Sequence, residues 1–247
     1  TQEKGALKIH TLLNHRGNIP SFIVTSDGSK ADITVAKETD FPLLPDSILT
    51  MDRGYLDFEY LRSLDRKRVF FVIRAKRGFA YKITGQHDIP NVKGLVADLS
   101  VRLTGVQTSL KYPGKLRVVR WHNEEFDYDL EFITNNFSLA ASTIAAIYKN
   151  RWEIETFFRW IKQNLKIKTF LGTSENAVLT QVWVAMCYYL ILAFIQFQTK
   201  FEGGMLKLSR LIRATLMHRI HLISLLSLDP DGGFELLRDP PDQLVLF

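Results

Sequence analysis

Four residues in YKNRWEIETFFRWIK, positions 148 to 162, differ in chemistry but share helical spacing: Tyr148, Arg151, Glu155 and Lys162. At about 100° per residue they fall within an arc of roughly 60° on a continuous helix. One side of that helix would present a phenol, a guanidinium, a carboxylate and an amine. An apolar stripe of Ile147, Ile154, Phe158, Ile161 and Leu165 runs beside the arc. The charged row is therefore expected at the edge of the buried face, where packing holds side chains in place. On spacing alone, a solvated face with an Arg151–Glu155 ion pair at i,i+4 explains the row equally well.

A second carboxylate, Asp52, follows the apolar run SILTM and opens Asp52-Arg53-Gly54-Tyr55. An acid at the carboxyl end of a strand stands where the sites of open sheets lie. An Asp that merely stabilises its own turn is the simpler reading of this residue in isolation. Taken together, a strand-end Asp and a helix Glu supply the oxygen ligands that suit Mg²⁺, completed by phosphate oxygens of a substrate. Two such ions about 4 Å apart serve in-line displacement at phosphorus. Arg151 and Lys162 would then clamp phosphates, and Tyr148 would donate a hydrogen bond.

These residues need a framework, and the chain is long enough to build one. Its 247 residues are 46% hydrophobic, sufficient for a large domain with an insertion. The excess of 32 Lys+Arg over 26 Asp+Glu, a formal charge of +6, suits an anionic partner without identifying one. The single cysteine, Cys187, leaves no internal disulfide and fits a reducing compartment; its apolar neighbours suggest a core position. TQEKGALKIH at the N-terminus has no apolar signal-peptide run. The most membrane-like stretch, VWVAMCYYLILAFI (182–195), is shorter than the roughly 18–20 residues of a spanning helix. It is expected as a core helix buried on most sides, with no membrane association.

GALKIHTLL and IPSFIVTS read as a hairpin, SILTM as a short strand, DFEYLRSL as a helix capped by Asp57, and RVFFVIRAK as a buried strand. From 79 to 137, Gly and Pro punctuate short alternating runs, which predicts an all-β insertion. From Ser138 onward the pattern is helical, with pieces near 138–166, 175–200 and 205–228. The expected divisions are 1–78, a strand-rich first part; 79–137, the β insertion; 138–200, a helical part; and 201–247, a helical C-terminal region and tail.

The run Tyr148-x-x-Arg151-x-x-x-Glu155-x-x-x-x-x-x-Lys162, following LTMDRGY, resembles the Tyr-Arg-Glu-Lys signature of bacterial insertion-sequence DDE transposases, the insertion-sequence-four family. The likeness extends through KIHTLL, FFVIRAK, FITNNF and IKQNLKIKTFLGTSENAV, most of residues 4 to 200. It implies an α/β fold with a ribonuclease H-like mixed sheet, interrupted by the β insertion and followed by a helical C-terminal part. It also implies that 1–78 and 138–200 are two parts of one catalytic domain. It implies cleavage of transposon ends and strand transfer into target DNA, with Mg²⁺ as cofactor and Mn²⁺ as an expected substitute. The implied partners are double-stranded DNA and a second copy of the chain, in the bacterial cytoplasm at the nucleoid.

On the same resemblance Asp52 is the second and Glu155 the third acid of the triad, both catalytic and metal-ligating. Tyr148, Arg151 and Lys162 hold phosphates near the cut bond, and Trp152 contacts DNA beside it. Arg74 and Lys76 are further phosphate contacts. Trp121 is a candidate for stacking on a flipped base, with a structural Trp as the simpler alternative. The family's first acid lies on a strand upstream of KIH, where this chain has only Glu3. The first strand is thus expected to be missing, leaving the KIH and MDRGY strands as open edges. A catalytically inactive DNA-binding or regulatory fragment of a transposase is the alternative function. Lys8 and His10 share one face of a strand that adjoins the site in that family, and a solvated face explains them equally well; His218 and His221 at i,i+3 read as solvent-facing, since a zinc site needs more ligands.

Overall fold

Apolar alternation in LKIHTLLN and IPSFIVTSD builds the expected hairpin, β1 (Leu7–Asn14) against β2 (Ile19–Asp27), antiparallel. The computed structural model describes residues 7–15, 19–76, 78–124, 127–164, 172, 174–215 and 217. The chain divides into two compact units, Thr1–Arg159 and Trp160–Phe247.

In the first unit, β3 (Ile48–Met51) pairs in parallel with β4 (Phe70–Arg74). The other strands are β5 (Tyr81–Gln86), β6 (Leu95–Leu103), β7 (Leu116–Asn123) and β8 (Tyr128–Thr134). They complete a six-stranded sheet in the order β3-β4-β8-β7-β6-β5, separate from the β1–β2 hairpin. Every ladder beyond β3–β4 is antiparallel, so the sheet is mixed. The strands of 79–137 thus continue the β3–β4 sheet through the β4–β8 ladder.

Both faces of the sheet are covered, which explains why RVFFVIRAK is apolar nearly throughout. Side chains alternate along β4: Phe71 and Ile73 enter one core cluster and Val72 the other. The first cluster takes Tyr60, Leu61 and Leu64 of α2 (Phe58–Arg66). That helix begins where the Asp57 carboxylate accepts the Tyr60 N–H at 2.9 Å, the expected cap. The second cluster takes Ala141, Ile144 and Ala145 of α4 (Ala141–Asn150). A short helix, α1 (Asp32–Glu38), precedes β3.

The structure corrects two expectations in this unit. The stretch 79–137 is not all-β: α3 (Val106–Lys111) links β6 to β7. Its first turn is closed locally, by Thr108 Oγ1 to the Gly105 carbonyl and Ser109 Oγ to the Val106 carbonyl. The helix expected over 138–166 is two helices, α4 and α5 (Trp152–Asn164), parted at Arg151. At the junction the bonds run i to i−3, from Arg151 N–H to the Tyr148 carbonyl and from Ile154 N–H to the Arg151 carbonyl. These are tighter than α-helical bonds and shift the helical phase. Phe157, outside the expected apolar stripe, is consequently buried along with Ile161. Leu165 lies outside the described residues.

Of the two readings of His10, the solvated one is excluded: the side chain is buried in the hairpin, its Nε2 2.8 Å from Ser26 Oγ. Burial lowers its pKa below the ordinary value, against the opposing field of Asp32. The unfolded chain therefore binds this proton at a pH where the folded chain does not, and stability rises with pH through that window. Between its lowered folded value and about 6.5, acidification should destabilise the fold, and His10→Gln should flatten that slope. Denaturation midpoints measured across pH 5 to 7 (roughly the histidine window) check this; an unchanged slope in the variant refutes it. Lys8 is paired as well, donating to the Lys30 carbonyl at 2.8 Å and lying 3.4 Å from Asp32.

In the second unit, α6 (Glu175–Thr199) starts where Ser174 Oγ accepts the Ala177 N–H, and it ends at Lys200, whose backbone is left-handed. α7 (Met205–Thr215) follows. The remainder of the expected 205–228 helix, with His218 and His221, lies outside the described residues apart from Met217.

The apolar stretch 182–195 lies within the helix expected near 175–200, and the 25 residues of that helix are long and apolar enough by length and composition to cross a membrane. Core helices pass the same test. Only one stripe of it is buried: Val182, Ala185, Met186, Tyr189, Leu192 and Ala193, at helical spacing. Trp183, Val184, Ile191, Phe194 and Phe197 are exposed. Cys187 falls off the buried stripe and is exposed, not in the core.

Candidate active site

Asp52 sits at the carboxyl end of β3, where the chain leaves the sheet into a single 3₁₀ turn, Arg53–Tyr55. Its Oδ1 accepts the Gly54 N–H at 2.5 Å and so fixes its own turn. Gly54 is needed because a Cβ there would stand 2.9 Å from that oxygen. The turn function and an outward, exposed carboxylate coexist, since one oxygen makes the bond and the other is left over.

Tyr148 lies at the end of α4, its ring 4.6 Å from that of Phe132 on β8. Arg151, at the α4–α5 junction, holds its guanidinium 5.6 Å from the Tyr148 ring centre. Its Nη2 donates to Glu155 Oε1 at 2.8 Å, the i,i+4 pair foreseen as the simpler reading. Its Nε is buried without a hydrogen-bond partner among the described residues. Burial opposes the charge of Arg151, but Glu155, Tyr148 and Asp52 outweigh it and hold its pKa above the ordinary value. Burial also raises the Tyr148 pKa, with Asp52 adding to it while Arg151 and Arg74 act the other way. The phenol therefore keeps its proton at neutral pH.

Asp52, Arg74, Tyr148, Arg151 and Glu155 come from β3, β4, α4, the junction and α5, and they share one electrostatic neighbourhood centred on Arg151. Arg74 closes β4 opposite Phe132 and places its guanidinium 5.6 Å from the Tyr128 ring centre. Lys76, two residues on, is exposed. Trp152 is 55% exposed, with the Arg159 guanidinium over its ring. Lys162 continues α5 in the second unit and is exposed. Trp121 stands apart on β7, between Leu95 and Leu130 in register and packed on the second core cluster. Gly94 lies against its indole: a Cβ at that position would stand 2.7 Å from the ring, so the ring is wedged.

Sequence reasoning missed three contributors. Tyr55 has its phenol pKa pushed up to about 12 by burial and by the fields of Asp32 and Asp52. Asn135 accepts the Phe71 N–H at 2.9 Å and donates to Asp65 and the Val69 carbonyl, tying β8 to the start of β4. Asn136 Oδ1 accepts the Ser138 and Leu139 N–H groups and shapes the loop into α4. The paired asparagines in FITNNF were the available signal.

As a metal site, the donor set consists of carboxylate oxygens at partly open positions, Glu155 being 38% exposed. Such donors fit a hard divalent cation that keeps water and substrate oxygens as its other ligands. Among the described residues no group of three or more His, Cys, Asp or Glu side chains converges.

A mixed sheet with an acid at the end of an edge strand and a second acid on a following helix defines a class, and comparison places the chain within it. The transposase DDE domain model matches residues 1–191, and the chain belongs to that family. A Sinorhizobium fredii protein named as a transposase is 29% identical over 217 residues, covering 86% of this chain and 60% of its own length. A Geobacillus stearothermophilus protein, named as a transposase for the insertion sequence element IS5377, is 29% identical over 80% of this chain and 52% of its own. A Synechocystis protein, named as a transposase for the element IS4SA, is 24% identical over 88% of this chain and 61% of its own. The chain thus spans between about half and three-fifths of the curated relatives it matches. The family implies a divalent metal cofactor.

Proposed function

We propose that this chain is the catalytic region of an insertion-sequence transposase of the Tyr-Arg-Glu-Lys group, cutting DNA at transposon ends and joining them to target DNA. The observation that carries the reading is the grouping of Asp52, Tyr148 and Glu155 around Arg151 within the segment matched by the DDE domain model. Asp52 and Glu155 would hold Mg²⁺, or Mn²⁺ in its place, and the ion would activate the attacking oxygen and stabilise the leaving one. The protein's own contribution is positioning. Tyr148, kept protonated, donates a hydrogen bond to a phosphate oxygen. Arg151, kept charged, offers to another the guanidinium N–H groups that Glu155 does not take. Arg74, Lys76 and Lys162 extend the phosphate contacts, and the exposed Trp152 ring offers a stacking surface for a base near the cut. The wedged indole favours the structural role for Trp121 over base stacking.

The wider reading is a ribonuclease H-like domain whose first strand would fit between β1 and β3, both of which have a free edge. With it go the division at 78, 137 and 200, a homodimer on DNA, and a cytoplasmic, nucleoid-associated location without membrane attachment. A DNA-binding fragment without catalysis is the second reading.

The deciding experiment incubates the protein with Mg²⁺ or Mn²⁺ and DNA carrying the element's own ends. Cleaved ends joined to a target plasmid support the transposase reading; binding without cleavage supports the fragment. In the same assay format, Arg151→Ala should lower the slope of log K against log[salt] by about one if its guanidinium meets a phosphate. A wild-type slope returns Arg151 to a purely intramolecular role with Glu155.

A further inference from the structure

At the sheet edge remote from Asp52, three cations form a row with no counter-charge. Lys82 on β5 is directly opposite Arg102 on β6. The β6–β7 ladder ends with Val101 opposite Leu116, and Lys115 immediately precedes β7 at that end, on the side of Arg102. Val101 and Leu103, flanking Arg102, enter the first core cluster, which turns Arg102 and its partner Lys82 to the other face. All three are exposed, and none has an ion pair or hydrogen bond among the described residues. With strands about 4.8 Å apart, the three stand within about 10 Å of one another.

Like charges directly opposite one another on paired strands are destabilising. Many other surface cations of this unit are paired: Lys30 with Glu38, Lys67 with Asp40, Lys93 with Glu124. The acid two strand positions along from Ser100, Asp98, is committed to Arg117. A lysine on an edge strand also discourages edge-to-edge pairing. That accounts for Lys82 on β5 but not for Arg102 on the inner strand β6, nor for Lys115, which precedes β7.

We propose that Lys82, Arg102 and Lys115 form a second DNA-backbone contact, distinct from the Asp52–Glu155 site, that takes the phosphates of duplex DNA. Charge complementarity selects the partner: a polyanion relieves the repulsion that the free protein carries, and its condensed counterions are released. The choice of DNA among polyanions rests on the transposase reading above. Five strand spacings separate β3 from β5, about 24 Å, or the length of roughly seven base pairs.

The test is anisotropy of a labelled duplex of arbitrary sequence, titrated at several salt concentrations. The triple variant Lys82→Gln, Arg102→Gln, Lys115→Gln should lower the slope of log K against log[salt] by about two to three. Its thermal midpoint should be unchanged or higher, since repulsion is removed. The charge-matched control Lys30→Gln, Lys67→Gln, Lys93→Gln should keep the wild-type slope. A wild-type slope in the row variant, an equal fall in the control, or no duplex binding by the wild type each overturns the proposal. Strand transfer is not part of the readout. A lowered slope without catalysis would leave the row standing and sink the enzymatic reading, while catalysis with an unchanged slope would do the reverse.

Discussion

Glu155→Gln is expected to abolish strand transfer while moving the thermal midpoint little. The substitution keeps size and helix propensity and removes one charge. What the fold loses is a single i,i+4 pair at a partly exposed position, the 2.8 Å bond from Arg151. Such pairs contribute about 0.3–0.5 kcal/mol. What the site loses is a cation ligand, and charge stabilisation by a bound ion is worth several kcal/mol in the transition state. At about 1.4 kcal/mol per tenfold, the rate should fall by at least roughly a hundredfold. The simpler reading, in which the pair only decorates the helix, predicts the opposite ranking. Strand transfer near the wild-type rate from this variant would therefore remove Glu155 from the site. The midpoint, measured on the same sample, excludes unfolding as the cause.

The largest effect on stability is expected at Arg117. Its guanidinium meets Asp98 with two parallel bonds, Nε to Oδ1 at 2.8 Å and Nη2 to Oδ2 at 2.7 Å. Its Nη1 donates to the Asn136 and Leu139 carbonyls, in the loop that delivers α4. The two side chains are 6% and 5% exposed. Arg117→Met strands a buried carboxylate and two carbonyls, a change that costs about 3–5 kcal/mol. For a unit of this size the thermal midpoint should fall by on the order of 10 °C. Adding Asp98→Leu removes the stranded charge, so the double variant should be more stable than the sum of the single changes implies. Strict additivity would show that the pair is not coupled. Recovery should stay incomplete, because the two loop carbonyls keep no donor.

Local chemistry was legible where it is decided locally. Asp57 caps its helix through a bond to a residue three positions on, and β1 and β2, each with apolar alternation, pair antiparallel as read. Phe71, Val72 and Ile73 could be assigned to a doubly covered strand because a nearly unbroken apolar run needs apolar cover on both faces. The family signature was legible for a similar reason: Tyr148, Arg151, Glu155 and Lys162 keep a fixed spacing along one segment. The helix break at Arg151 was not, since neither Gly nor Pro marks it. Nor was the burial of His10, which depends on what packs over the hairpin.

The sequence by itself determined which groups could do chemistry and the class of protein they belong to, because residue type and spacing are properties of one segment. Tertiary structure decided which groups meet. It set Asp52 within the fields of Arg151 and Tyr148, and Arg74 within that of Tyr148, although these residues are far apart in the chain. It brought Lys82, Arg102 and Lys115 together through strand pairing, which no single segment encodes. It also decided that α6 buries one stripe and exposes Cys187, although its composition is apolar on every side. The physical reason is that electrostatic fields and burial depend on distance through space, and distance through space follows from pairing and packing among segments.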